Sequence, residues 1–195
     1  MPVAPSISAE IRRAGVSAVV AAAAVALLAG CGSGGSEAKA SASPSASATS
    51  ATPSPDPSAT ATEQVLAAYR GMWAEQTKIY SSGSFSGSKL EEYAADKALS
   101  KVKVAALYYQ DNGLVVKGAP VLSPKVTDLS LDTNPRTATV VDCVDSSNFV
   151  PENAKTGKKS DLDGANRRHV QTSKAYYGSG KWLIVDSTID KDSTC

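Results

Sequence analysis

Histidine is nearly missing from this chain: His169 is the only one among 195 residues. Acid–base catalysis by a pair of histidines is therefore excluded. An excess of charge of either sign is missing too, since 20 Lys and Arg stand against 19 Asp and Glu. A balanced chain exerts no bulk pull on nucleic acid or anionic lipid, so nucleic acid is not expected as a partner. The local cluster Lys155, Lys158 and Lys159 reads as a solvated loop. No apolar run reaches the roughly 20 residues that a membrane-spanning helix needs; the uncharged stretch Ala14 to Leu28 has about 15, with alanine its commonest residue. Nucleophile-elbow, phosphate-loop and dinucleotide fingerprints are all missing, as is any internal repeat. Nothing implies a cofactor, and no catalytic motif stands out.

The N-terminus is more informative. Arg12 and Arg13 precede the apolar stretch, which closes on Leu28-Ala29-Gly30-Cys31 and gives way to a Gly/Ser-rich segment. This order of positive, apolar and small-residue regions is that of an export signal. The four residues resemble the lipobox of bacterial lipoproteins of a Gram-positive type. The resemblance implies cleavage between Gly30 and Cys31 and a thioether-linked diacylglyceryl group on Cys31, its acyl chains (palmitate or similar) holding the protein to the extracytoplasmic face of the cell membrane. Burial of acyl chains contributes about 0.8 kcal/mol per methylene, and two chains anchor where one is marginal. The competing readings are a membrane-spanning anchor and an ordinary secretory signal cleaved within Ala22 to Ala26. The arginine pair also hints at twin-arginine export, but Ala14-Gly15-Val16 lacks the bulky apolar pair of that route.

Loss of residues 1–30 removes Glu10, Arg12 and Arg13 and leaves a mature chain with 18 basic and 18 acidic side chains. With Cys31 lipidated, Cys143 and Cys195 remain, and in an oxidising compartment a disulfide between them is the economical reading. Two cysteines and His169 are too few for a zinc site, so no metal is expected.

Three regions follow: a signal peptide over 1–30, a lipidated cysteine and linker over 31–61, and a single domain over 62–195. The linker is Ser, Ala, Thr, Pro and Gly with almost no bulky apolar side chain, too poor in core-forming residues to offset ordering entropy; it is expected to be disordered. As a coil it would span about 30 Å on average.

Thr60 and Glu63 form a capping-box pattern that predicts the start of a helix, and Val65, Leu66, Tyr69, Met72, Trp73, Gln76, Ile79 and Tyr80 follow at helical spacing. Only Gln76 interrupts that apolar face. Ser81-Ser82-Gly83 ends it. A second helical stretch starts near Ser88, breaks near Ala95-Asp96 and runs to Tyr109, stopped by Asn112-Gly113. The period then changes to that of strands: Leu114 to Lys117, Val121 to Leu122, Val126 to Leu131, Thr137 to Asp145, then Arg167 to Tyr177 turning through Gly178-Ser179-Gly180 into Lys181 to Ile189. Ser146 to Gly164 reads as a long polar loop. Helices first and antiparallel strands after predict an α+β fold.

Helices with the aromatic pair Tyr69/Trp73, the junction Asn112-Gly113-Leu114-Val115 and the closing hairpin Val170–Tyr177/Trp182–Ile189 resemble the cone-shaped nuclear transport factor two-like fold. The resemblance implies a curved antiparallel sheet and a pocket between it and the helices. Its members include binding modules, assembly domains and a few isomerases and dehydratases, so fold does not choose among functions. The enzymatic members use an Asp or His base with a Tyr donor. Asp142, between Val140 and Val144, and Asp186, on a face with Trp182 and Ile184, are the candidate bases; Tyr108, Tyr176 and Tyr177 are the candidate donors. The bland alternative is that each aspartate meets solvent or a Lys or Arg. His169 shares a polar face with Gln171 that reads as solvated. Tyr69 and Trp73 are the candidate ligand contacts, although aromatics at helical spacing more often form core. The readings are thus a lipid-anchored module for a small ligand or an envelope protein, an isomerase- or dehydratase-type enzyme, or a structural envelope protein that partners through its sheet.

Overall fold

The computed structural model describes residues 56–162 and 166–195. The signal region, the Leu28–Cys31 motif and the linker as far as residue 55 lie outside the described residues, as do residues 163–165.

Helix α1 runs from Pro57 to Ser82. Its cap is Asp56, whose carboxylate accepts from the Ser58 amide at 2.9 Å, with Pro57 in the first turn. The expected cap at Thr60 is one turn too late. Proline fits the first helical turn because its missing N–H would have no partner there, and that signal outweighs the capping box. The helix ends as expected: Gly83 adopts φ 66° and its amide closes onto the Ile79 carbonyl. A short turn of tight helix at Leu90–Glu92 leads to α2, Asp96–Asp111, so the predicted break at Ala95-Asp96 is real.

Among the described residues six strands follow: β1 Leu114–Lys117, β2 Lys125–Ser130, β3 Thr137–Asp145, β4 Val150–Asn153, β5 Arg168–Gly178 and β6 Lys181–Asp190. The main sheet has the order β2-β3-β5-β6, all antiparallel, and β1 pairs with β4 in a separate ribbon. The expected strand at Val121–Leu122 is a lone bridge from Val121 to Asp145. Strand β4 lies within the stretch read as a loop; Pro151 and the polar residues around it mask the strand pattern, and pairing with β1 and with the segment at Lys159 supports it.

The chain is α+β, with two helices packed against antiparallel sheets. Helix α1 packs on β6, β1 and β2, and α2 on β6 and β1. Alternation on β3 buries Ala138, Val140, Asp142 and Val144 toward the helices. From β5 the inward set is Gln171, Ser173 and Ala175. The core also takes Val65, Tyr69, Met72 and Trp73 from α1. The free edge of β6 is met at Ile184, which bonds to the Tyr93 carbonyl and the Ala95 amide. Cys143 and Cys195 form a disulfide, with Cα atoms 5.8 Å apart.

Candidate functional site

Two polar features lie between the helices and the sheet. The first is a hydrogen-bonded network. Asp142 is 1 % exposed; its Oδ2 accepts from the Tyr69 hydroxyl at 2.9 Å and its Oδ1 from the Ser123 amide at 2.6 Å. Gln171 Nε2 donates to the Tyr69 oxygen at 3.2 Å and approaches Ser173 Oγ at 3.4 Å. Ser173 and Ser187 share a hydrogen bond of 2.7 Å. Burial, and then the charge of Asp142, push the Tyr69 hydroxyl far above the ordinary tyrosine range. The phenol is thus a fixed donor. Neither Asp142 nor Tyr69 lines the five cavities of about 170 to 460 Å³ around the described residues.

The second feature is open. Trp73, Gln76 and Tyr80 follow one another at helical spacing on α1 and form a wall shared by two adjoining cavities. The inner one, about 170 Å³, is also lined by Met72, Val102, Gln171 and Ser187. The outer one, about 290 Å³, is lined by Tyr109 from α2, Val116 from β1, Phe149, and Arg167 and His169 where β5 begins. Tyr80 stacks on Phe149 at 6.3 Å between centroids and meets Tyr109 edge-on at 5.1 Å. Burial raises the pKa of both tyrosines, while the Arg167 charge acts on Tyr109 in the opposite direction.

Three buried side-chain atoms have no hydrogen-bond partner among the described residues: Trp73 Nε1, Arg167 Nε and His169 Nδ1. All three belong to side chains that wall the outer cavity. Trp73 lies near enough to the Tyr69 hydroxyl to counter part of its shift, without reaching hydrogen-bond geometry. Arg167 is anchored through Nη2, which donates to the carbonyls of Ser146 and Phe149 at 2.9 Å each. His169 is held through Nε2, 2.8 Å from the Asn166 carbonyl. An unpaired buried polar group costs about 1–3 kcal/mol, so three around one cavity call for an explanation. Larger grooves of about 460 and 360 Å³, beside Phe85 and Trp182 respectively, hold no such atom.

The other residues singled out above fall elsewhere. Asp186 does not share a face with Trp182 and Ile184: β6 carries an extra residue at Val185, which turns Asp186 away and brings Ser187 inward. Asp186 pairs with Lys101 at 2.7 Å, and that hydrogen bond holds its carboxyl below the usual carboxylate range. Tyr108 is 59 % exposed, in a stripe with Val104 and Leu107 on the outer face of α2. Tyr176 is exposed, and Tyr177 packs against Trp182 with the Arg136 guanidinium over its ring. The His169–Gln171 face is the inner face of β5, where Gln171 is buried and His169 half-buried, because the Ser146–Phe149 turn and Arg167 cover that end of the sheet. Arg167 was not legible as a site residue. Its one signal was spacing, since 167, 169, 171 and 173 alternate onto the inner side. Among the described residues, no group of three His, Cys, Asp or Glu is placed to hold a metal, and no helix is long and apolar enough to cross a membrane.

No protein-family model and no curated protein matches the sequence. Among solved structures, the intermembrane space region of the chloroplast protein ARC6 aligns with 72 % of this chain and 100 % of its own, at 10 % identity and a TM-score of 0.43. At that level the likeness carries no argument about function.

Proposed function

We propose that this chain is a lipid-anchored extracytoplasmic module that binds a small ligand between its helices and its main sheet, in an arrangement similar to the nuclear transport factor two-like cone. The observation that carries the reading is the outer cavity, with aromatic walls and three unpartnered polar atoms on the side chains around it. Apolar walls with a few convergent polar groups are what small-molecule sites have in common. The lipobox-like motif ending at Cys31 supports the anchor, and the Cys143–Cys195 disulfide suits an oxidising compartment. The isomerase or dehydratase reading has less support, because both oxygens of Asp142 are engaged and it lines neither the inner nor the outer cavity.

One expression experiment addresses the anchor and the ligand together. The full chain made in a bacterial host is expected in the membrane fraction, and Cys31→Ala in the soluble fraction. Equal membrane retention of both forms would remove the lipid from the account. Native mass spectrometry or a mixed small-molecule screen of the released protein should then detect a ligand that perturbs Trp73. If nothing in a chemically broad set does so, the binding reading fails.

A further inference from the structure

Given a ligand in the outer cavity, as proposed above, its chemistry is written in the wall. We propose that the cavity takes a small carboxylate with an aromatic or branched apolar body and a hydroxyl beside the carboxylate. Arg167 brings a formal positive charge, and no Asp or Glu lies among the lining residues; Asp145 and Asp190, off the wall, interact with Arg167 and His169 respectively. The wall therefore favours an anion. Lys101 faces the adjoining cavity, but its ammonium is taken up by Asp186 at 2.7 Å and the Ser187 carbonyl at 2.6 Å.

The unpartnered atoms sharpen this. Trp73 Nε1 and Arg167 Nε can only donate, so what meets them must accept. A carboxylate presents two acceptor oxygens in one plane, and charge-assisted bonds of this kind are the stronger class. His169 is different. Its Nε2 faces a carbonyl oxygen, which only accepts, so Nε2 carries the ring proton. In the neutral ring Nδ1 is then an acceptor, and a ligand hydroxyl can donate to it. An ammonium at that place would sit beside Arg167 with no carboxylate on the wall to offset it, so a hydroxy acid is favoured over an amino acid. The body of the ligand meets Tyr80, Tyr109, Phe149 and Val116. A volume of about 290 Å³ stands at the small end of ligand pockets, which start near 300 Å³. As the side chains stand, the three free nitrogens have almost no exposed surface, so binding of this ligand requires Trp73, Arg167 and His169 to turn toward it.

The chain has two tryptophans, Trp73 and Trp182, and only Trp73 lines this cavity, so the two indole N–H resonances give a reporter and an internal control. The full chain is titrated with 3-phenyllactate, its methyl ester, phenylalanine and a set of neutral fragments. Phenyllactate is expected to shift the Trp73 indole saturably and leave Trp182 in place, with the ester and phenylalanine at least tenfold weaker. By calorimetry, Trp73→Phe is expected to weaken phenyllactate about tenfold, since it keeps an apolar ring and loses the N–H. An ester that binds as tightly as the acid overturns the carboxylate assignment. Phenylalanine equal to phenyllactate overturns the hydroxyl assignment. Neutral fragments that move Trp73 when phenyllactate does not would overturn the proposed ligand class and leave the binding function standing. No response to any of them ends both.

Discussion

Asp142 is a buried carboxylate with no ion-pair partner among the described residues, satisfied instead by a phenol and a backbone amide. Such a group is tolerated only while each donor stays in place. Its inward direction was legible, because alternation on β3 sets it between Val140 and Val144; its partners were not, since Tyr69 and Ser123 come from distant segments. Tyr69→Phe keeps the ring and strips Asp142 Oδ2 of its donor, which is expected to cost about 2–3 kcal/mol at neutral pH by denaturant unfolding. The pH dependence has a definite sign. The folded Tyr69 hydroxyl is held above its ordinary value of 10.0, so its contribution is complete below pH 10.0 and declines as pH rises from there toward the folded value. The gap between wild type and Tyr69→Phe should therefore narrow above pH 10.0. A gap that widened there, or no gap at neutral pH, would show that the hydroxyl is not a donor to this carboxylate.

Elements show where local pattern succeeds and where it fails. The faces of α1 and β3 could be read because their periods are uninterrupted. On β6 the single extra residue at Val185 reverses the phase, so everything after it points opposite to the simple count: Ser187 turns inward and Asp186 out. No residue type at that position announces a bulge. Helix α1 carries a second feature that propensity misreads. Gly71 lies mid-helix, where alanine would ordinarily add about 1 kcal/mol of stability. Here the Tyr93 ring lies flat on it, and a Cβ would overlap the ring atoms. Gly71→Ala is expected to destabilise by about 1–3 kcal/mol, through displacement of Tyr93 and of the contact its carbonyl makes with the Ile184 amide. A raised melting temperature in Gly71→Ala would contradict this packing.

The molecule as a whole is tied at its end. After β6 the Asp190 carboxylate accepts from the amides of Asp192 and Ser193 and from the Ser193 hydroxyl, which turns the tail back on itself. That turn lets Cys195 reach across to Cys143 on the outer face of β3, opposite the side that carries Asp142. The bridge closes a loop with a sequence separation of 52, which chain entropy values at about 4 kcal/mol. Cys143→Ser is expected to lower the melting temperature by roughly 10–15 °C in calorimetry, with reductant producing the same drop in wild type. Insensitivity to reductant would mean that the bridge does not support the fold. The sequence by itself determined the α+β order, the long faces of α1 and β3, the helix break at Ala95-Asp96 and the cysteine pair, because each depends on near neighbours or on a count. The tertiary structure alone decided which polar groups share an interior. Trp73, Arg167 and His169 become neighbours only when α1 packs over the main sheet and the Ser146–Phe149 turn closes over them, and burial, a property of the assembled layers, leaves their nitrogens without partners.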